Sequence, residues 1–201
     1  MDKSLPILLL ASASPRRQQL LQQIGVSCEV APQDIDETPL PDEDPQQYVL
    51  RLAREKAHAA HTSAPGGSVI LGSDTVVVCR GEILGQPRDE ADALSMLQRL
   101  SATSHEVLTA VHMMDSRREM SKLCRTEVAF REITPAEAKA YWKTGEPRGK
   151  AGGYGIQGYA AVFVEAITGS YSGVMGLPLF ETAALLQEFG IPCWQMLDSE
   201  L

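Results

Sequence analysis

A short apolar run passes directly into a helix start near the beginning of the chain, in the stretch LLLASASPRRQQL. Residues 6–11 are continuously apolar, which is typical of a strand buried on both faces. Ser14 suits the N-cap, Pro15 the first helical position and Gly25 the stop. The stretch therefore predicts a strand, a tight loop and a helix.

Helix and strand patterns alternate along the rest of the chain. Further strands are predicted at residues 27–31, 68–79, 82–84, 105–114, 123–131 and 162–167, and further helices from Asp44 to about residue 61, from Asp89 through Leu100, from Thr134 to Gly145 and over residues 178–190. Crossovers and hairpins are both implied, which indicates an α/β or α+β architecture with a mixed sheet. No repeat or domain boundary is visible, so residues 1–201 are predicted to form a single domain.

Composition excludes several classes of protein. A net charge of −8 argues against a nucleic-acid coat or a binder of anionic membranes, because both need an excess of Lys and Arg on one face. The apolar stretch at residues 5–10 is too short for a signal peptide or a membrane span, and a cytoplasmic protein is expected. The four cysteines form no Cys-x-x-Cys pair and are expected to be buried, reduced thiols.

Two arginines, Arg16 and Arg17, follow the predicted N-cap Ser14. The free N–H groups and the dipole of a helix start attract anions, and acidic side chains are what the first turn normally favours. Two cations at this place are therefore unfavourable without an anion and would form a clamp around phosphates. The alternative is that both arginines are solvated or paired with the acidic loop that follows.

Lys56 and Asp74 are charged residues in apolar surroundings. Lys56 lies on the same helix stripe as Val49 and Leu52, so it would either need an anionic partner or extend to the rim of the core. Asp74 interrupts VILGSDTVVV, and a break at residues 72–74 would place its carboxylate at a sheet edge or strand end. The alternative is a turn between two shorter strands; apolar runs on both sides favour a functional carboxylate.

Glu37 supplies another carboxylate from the segment DIDET, which taken alone is an ordinary solvated acidic loop. A few carboxylate ligands suit Mg²⁺ or Mn²⁺, which also bind phosphate oxygens. Carboxylates, a lysine and an arginine pair together suggest phosphate chemistry. The chain has no Walker-type Gly-x-x-x-x-Gly-Lys sequence, which disfavours a P-loop NTPase.

A glycine-rich segment, KAGGYGIQG, surrounds Gln157. An amide offers a donor and an acceptor together, which suits the edge of a base, and glycines let the chain approach a ring closely. The alternative is a flexible surface loop. Tyr154 and Ile156 argue against pure flexibility because both favour burial.

Six motifs occur in an order that is specific for one family: LASASPRR, DIDET, RLAREKA, LGSDTVV, YGIQG and GLPLFET. From residue 8 to residue 190 the chain resembles the Maf family of nucleoside triphosphate pyrophosphatases. The resemblance implies an elongated α/β fold similar to that of inosine triphosphate pyrophosphatases, with a central mixed sheet and a cleft between two lobes. It also implies a homodimer.

The resemblance implies metal-dependent hydrolysis of a nucleoside triphosphate between the α and β phosphates. Asp74 corresponds to the catalytic aspartate, as the base that activates water or as a co-ligand of the metal, and Glu37 to a metal-linked glutamate. Ser14, Arg17 and Lys56 correspond to substrate-handling positions. The implied cofactor is Mg²⁺ or Mn²⁺, and the implied partner is the nucleotide alone, with no nucleic acid polymer and no membrane.

Base choice is expected to involve Arg16, Thr75 and Gln157, which match the subgroup that resembles dTTP/UTP pyrophosphatases. One position departs from the family pattern: in ILGQPRD the chain has Gln86 where the family usually has lysine. Glutamine can still hydrogen-bond a phosphate oxygen but carries no charge, and Arg88 could substitute from two residues away.

Two other functions stay open from the sequence. One is a non-catalytic nucleotide-binding regulator of cell division, which would need the phosphate clamp but not Asp74. The other is an enzyme that removes methylated or otherwise modified nucleotides from the pool. The residues do not separate dTTP from UTP, Mg²⁺ from Mn²⁺, or the two roles of Asp74.

Overall fold

The fold is taken from a computed structural model that describes residues 5–195. Within this range the chain forms seven strands: β1 Leu8–Leu10, β2 Glu29–Val30, β3 Val69–Cys79, β4 Glu82–Leu84, β5 Ser104–Met114, β6 Glu119–Phe130 and β7 Val164–Thr168. It also forms six α-helices: α1 Pro15–Gln23, α2 Pro45–His61, α3 Glu90–Leu100, α4 Pro135–Lys143, α5 Tyr171–Met175 and α6 Leu179–Glu188. Short 3₁₀ turns lie between α4 and β7.

The strands form one mixed sheet, in the order β2-β1-β3-β5-β6-β7 with β4 beside β3. β1 is parallel to β2 and to β3, whereas the β3–β4 and β6–β7 pairs are antiparallel. Parallel strands need crossovers, and α1 and α2 supply them. The predicted α/β class with a central mixed sheet is confirmed.

The chain divides into two compact units. The first contains residues 1–74, 109–124 and 176–201, and the second contains residues 75–108 and 125–175. The first unit has a small apolar core where α2 packs on β1 and β3, formed by Leu9, Ala11, Ala57, Ala60, Ile70 and Met114. The second has a larger core in which Phe130, Tyr141, Tyr154 and Phe163 make edge-on and tilted ring contacts.

Local sequence signals explain most of the helix starts. Asp44 accepts hydrogen bonds from the main chain of Gln46 and Gln47 in a capping box, and Thr134 does the same for α4. Asp89 caps α3 through the N–H of Asp92. Ser14 is the N-cap of α1, as predicted, but its side chain makes no capping hydrogen bond.

Several expectations need correction. β3 runs without a break through Asp74, so neither a break at residues 72–74 nor a turn between two shorter strands exists. β2 is shorter than predicted, β6 begins four residues earlier than residue 123, and the short helix α5 was not predicted. All four cysteines are free, but only Cys79 and Cys124 are buried, whereas Cys28 and Cys193 are half-buried.

Residues 5–195 contain no helix that is long and apolar enough to cross a membrane. The longest helix, α2, has 17 residues and carries charged side chains along its exposed face.

Candidate active site

Lys56 is at the centre of a buried ion cluster. It lies on the inward face of α2 and is only 8% exposed. Its Nζ lies 2.6 Å from Asp74 Oδ1 and 2.7 Å from Glu37 Oε1. The inward stripe of α2 therefore carries a lysine that bridges two carboxylates rather than one that reaches the solvent at the rim.

Asp74 is held in the middle of β3, where it is 7% exposed. Burial raises the pKa of its carboxyl group, and the charges of Lys56 and Arg17 partly offset this effect. A raised pKa brings the carboxyl group closer to the range in which it can accept and release a proton near neutral pH.

Gly72 explains how α2 reaches Asp74. A Cβ atom at this position would lie 2.1 Å from the main-chain oxygen of Ala53 and 2.9 Å from the nitrogen of Ala57, both in α2. The helix can approach the strand this closely only because residue 72 has no side chain. A glycine inside an otherwise apolar strand is a recognised signal of close backbone approach, and the sequence reasoning did not use it.

Glu37 reaches the cluster from the loop before α2. The hydroxyl of Tyr48, on the first turns of α2, donates to the main-chain oxygen of Glu37 at 2.8 Å. The Glu37 side chain is half exposed, so one end of the cluster faces solvent. Tyr48 is a positioning residue that the sequence reasoning missed, and its only sequence signal is its place beside Val49 on the inward face.

Two neutral oxygens help to hold the Arg17 guanidinium in place. Its Nε donates to the main-chain oxygen of Gly176 at 2.8 Å, and its Nη1 donates to Ser12 Oγ at 2.9 Å. Ser12 Oγ also accepts from the N–H of Ser14, at 3.2 Å. Burial lowers the pKa of Arg17, and the Asp74 carboxylate opposes this effect. A half-buried guanidinium that is held by hydrogen bonds close to two carboxylates is well placed to receive an anion.

Arg16 precedes Arg17 in the first turn of α1 and is half-buried. It lies near enough for its charge to contribute to the lowered pKa of Arg17. The first turn of α1 has no acidic residue, so the two like charges meet the positive end of the helix dipole.

The oxygen ligands of the cluster fit a hard divalent cation. Asp74 and Glu37 each give one oxygen to Lys56, and each has a second carboxylate oxygen to offer. Mg²⁺ and Mn²⁺ prefer such oxygens and retain several waters, so two carboxylates are a sufficient protein contribution. Arg17 and Lys56 balance the two carboxylates, so an added cation and a phosphate anion would keep the charges matched.

The second unit contains the three remaining candidates, Thr75, Gln86 and Gln157. Thr75 is the residue after Asp74 in β3 and is half-buried, and Gln86 is exposed in the loop between β4 and α3. Arg88 is 86% exposed at its side chain and pairs with Asp92 at 3.0 Å. The first unit therefore contains Ser14, Arg16, Arg17, Glu37, Lys56 and Asp74, and the second contains Thr75, Gln86 and Gln157. Within the first unit, Arg17, Glu37, Lys56 and Asp74 lie near one another.

Gln157 is exposed on a loop that is firmly held. Glu146 accepts hydrogen bonds from the hydroxyl of Tyr141 at 2.7 Å and from the N–H groups of Tyr159 and Ala160. Tyr154 is buried within the same loop. These contacts favour an ordered loop, and Glu146 is a supporting residue that the sequence reasoning did not identify.

The family described as Maf-like protein matches residues 7–189. The chain belongs to the Maf family.

Two curated relatives of the chain are named dTTP/UTP pyrophosphatase. A dTTP/UTP pyrophosphatase of Saccharophagus degradans is 51% identical over 193 residues, which cover 94% of this chain and 92% of that protein. A dTTP/UTP pyrophosphatase of Vibrio parahaemolyticus is 49% identical over 189 residues, covering 94% and 100%. Among solved structures, a HAM1 protein from Coxiella burnetii is similar with a TM-score of 0.44 and 15% identity, over 63% of this chain and 73% of that one.

Proposed function

We propose that this Maf protein hydrolyses dTTP and UTP between the α and β phosphates, giving the nucleoside monophosphate and pyrophosphate. The observation that carries the proposal is the buried cluster in which Lys56 joins Asp74 and Glu37 beside Arg17. The relatives at about half identity, all named dTTP/UTP pyrophosphatase, support the choice of substrate. A role in clearing nucleotides, including modified pyrimidine nucleotides, from the cellular pool follows from this reaction.

Asp74 acts as the general base. Its Oδ1 is occupied by Lys56, so the second oxygen, Oδ2, takes the proton of the attacking water. The water oxygen forms a bond to the α phosphorus, and the bond from that phosphorus to the bridging oxygen breaks. The electron pair of the broken bond leaves with the pyrophosphate. Lys56 keeps Asp74 ionised in an apolar setting, which would otherwise favour the neutral acid.

Arg17 and Lys56 stabilise the charge that develops on the phosphate oxygens. Both are held before substrate arrives, Arg17 by Gly176 and Ser12 and Lys56 by the carboxylates, so little reorganisation is needed. Mg²⁺ or Mn²⁺, held by Glu37 while Asp74 acts as the base, would supply further positive charge to the phosphate oxygens when bound. If Asp74 is instead a co-ligand of the metal, its Oδ2 is not the base. Ser14, whose hydroxyl makes no capping bond, completes the phosphate-binding set, and Gln86 is expected to donate to a phosphate oxygen.

Arg16, Thr75 and Gln157 select the base. Thr75 and Gln157 can together offer donors and acceptors that match the O4 and N3 edge of uracil or thymine. The firm hold of Glu146 on the glycine-rich loop keeps the Gln157 segment in place. A polar site of this kind rejects a base with the wrong edge because its own groups would be left unpaired.

The protein is expected to work as a homodimer in the cytoplasm. Four free cysteines suit a reducing compartment. The exposed rings of Phe180 and Trp194 form part of an apolar surface on α6 and the segment after it, which is where a second copy would bury area. Sedimentation of the purified chain tests the dimer directly.

The deciding experiment is pyrophosphate release from a panel of nucleoside triphosphates with Mg²⁺ or Mn²⁺. The parent is expected to release pyrophosphate from dTTP and UTP, and Asp74→Asn is expected to bind nucleotide without turnover. A parent that is inert with every triphosphate and both metals would leave the non-catalytic regulator of cell division as the better account. Preference for a modified pyrimidine nucleotide in the same panel would assign the pool-clearing role to that substrate.

A further inference from the structure

A second group of metal-ligating side chains lies in the first unit, apart from the carboxylate cluster. It consists of His58 on α2, His112 on β5 and Glu119 at the start of β6, and their ligand atoms all lie within 4.8 Å of one another. His58 Nε2 lies 2.7 Å from Glu119 Oε2, and His112 Nε2 lies 3.5 Å from the same oxygen. None of these residues has a part in the proposed hydrolysis.

The buried member, His112, has one nitrogen without a partner. The residue is 2% exposed, its Nδ1 lies 2.8 Å from Ser121 Oγ, and its buried Nε2 makes no hydrogen bond. In the neutral tautomer whose Nδ1–H donates to Ser121 Oγ, the lone pair of Nε2 faces Glu119 Oε2. Two acceptors facing each other in a buried place are costly unless a cation lies between them.

The spacing is close to that of a tetrahedral ion. In a tetrahedral site, ligand bonds of about 2.0–2.2 Å place neighbouring ligand atoms about 3.3–3.6 Å apart. The separation of 3.5 Å between His112 Nε2 and Glu119 Oε2 already meets this, and the separation of 2.7 Å to His58 needs to lengthen slightly. His58 and Glu119 are exposed and can make this adjustment, whereas the buried His112 provides the fixed point.

Neighbouring side chains support the three ligands. Arg54 Nη2 holds the other carboxylate oxygen of Glu119, Oε1, at 2.8 Å, which turns Oε2 towards the histidines. Ser121 fixes the ring orientation of His112 through Nδ1. Hydrogen bonds of this kind orient the ligands in most protein metal sites. A cavity of about 660 Å³, lined in part by Arg54, His58 and Ser121, gives an ion and its water access from solvent.

We propose that His58, His112 and Glu119 bind a Zn²⁺-class cation, with water in the fourth position. Two imidazole nitrogens and one carboxylate oxygen favour Zn²⁺ and its neighbours over Mg²⁺, which prefers oxygen ligands alone. The ion would tie α2 to β5 and β6 and would stabilise the fold. The chain thus has two metal sites of different preference, and the proposal for this one does not depend on the proposed hydrolysis.

The test is Zn²⁺ binding to the reduced, chelator-treated full chain without nucleotide, measured by calorimetry and by metal content after dialysis. The parent is expected to bind one Zn²⁺ per chain, and excess Mg²⁺ should not displace it. His58→Ala and Glu119→Gln should each weaken binding by more than about 100-fold, because even outer hydrogen-bond partners are worth about 10–100-fold. Ser121→Ala should give an effect within that smaller range.

His61→Ala is the matched control, since His61 lies on the same helix outside the group. Its Zn²⁺ affinity should equal that of the parent. His58→Ala keeps all four cysteines, so zinc held by a thiol would persist in this variant. Circular dichroism confirms that each variant is folded. The proposal is overturned if the folded His58→Ala and Glu119→Gln proteins bind Zn²⁺ as tightly as the parent, if Mg²⁺ displaces it, or if the parent binds none.

Discussion

Lys56 has two carboxylate partners, and this decides how Asp74 ionises. Burial alone would raise the pKa of Asp74 further than it does, and Lys56 is the largest influence that lowers it. The lysine therefore keeps a base available in surroundings that would otherwise protonate it. This dependence makes the acid side of a pH–rate profile the natural measure of the interaction.

Lys56→Met is expected to lower kcat/KM for dTTP by roughly 10²–10³, since a cation at the phosphates is lost. The acid limb of the profile should also move to higher pH. The sign follows because Asp74 must be ionised to act, and removal of the cation that lowers its pKa raises the pH at which it ionises. Kinetics from pH 4 to pH 9 measure both effects.

Lys143→Met provides the matched control, because Lys143 is exposed in the last turn of α4. It should leave both the rate and the profile unchanged. A Lys56→Met protein with reduced activity but an unmoved acid limb would show that Asp74 is not the group that titrates.

At position 86 the chain has an uncharged glutamine where the family usually has a lysine, so one positive charge is missing. Gln86→Lys is expected to raise kcat/KM or to shift the preference between Mg²⁺ and Mn²⁺, because it adds a cation where transition-state charge would be stabilised. The same assay with each metal measures the change. Unchanged kinetics with both metals would mean that the active site does not use this position.

At the scale of the elements, the contact of α2 with β3 sets the site, and Gly72 permits it. Gly72→Ala is expected to destabilise the fold by about 1–3 kcal/mol, because the new methyl group would overlap the backbone of α2. It should also reduce activity, since the helix that carries Lys56 must move away from Asp74. Urea unfolding and the pyrophosphate assay measure the two effects.

Gly66→Ala is the comparison for this variant. A Cβ at Gly66 would meet nothing within 4 Å. Its free energy of unfolding should therefore stay within about 0.5 kcal/mol of the parent. Equal stability of the two alanine variants would contradict the close approach of α2 to β3.

The sequence predicted the helices whose first residues include a capping side chain. Asp44, Asp89 and Thr134 cap their helices through side-chain oxygens, and each of these helices was predicted. The continuity of β3 through Asp74 was not predictable, because the cost of a carboxylate in a strand is offset by Lys56 from a distant element. Helix α5 has five residues, too few to give a periodic pattern.

At the scale of the whole molecule, nucleotide binding should raise the free energy of unfolding and the Tm of the protein. A non-hydrolysable dTTP analogue at about 100 times its Kd, with Mg²⁺, would stabilise the fold by about 2.7 kcal/mol. For a chain of this size that corresponds to a rise in Tm of roughly 5–10 °C. Arg17→Ala should abolish most of the rise because the phosphates lose their fixed guanidinium. Thermal melts monitored by fluorescence measure it.

Arg117→Ala is the control, since Arg117 is exposed in the turn between β5 and β6. It should show the full rise in Tm. If Arg17→Ala and Arg117→Ala respond alike, Arg17 does not bind phosphate.

The residues of the candidate site were predictable in kind but not in arrangement. Asp74, Lys56 and Arg17 are conspicuous because charge in apolar or like-charged surroundings is costly, and the cost is visible in the sequence. Their supports are not conspicuous: Ser12 is one of several serines, and the carbonyl of Gly176 belongs to a residue 159 positions from Arg17. Such partners are set by the folded chain and leave no local signal.

The carbonyl of Gly176 also accepts from the hydroxyl of Ser73, at 3.1 Å, so one main-chain oxygen anchors both Arg17 and the residue before Asp74. Every amino acid has this oxygen, so the anchor places no demand on side-chain chemistry. The demand at residue 176 comes from its φ of +115°, which only glycine adopts without strain. For protein engineering, a library that diversifies Ser12 can change how the Arg17 guanidinium is held. Position 176 should remain glycine, because its main-chain oxygen anchors both Arg17 and Ser73.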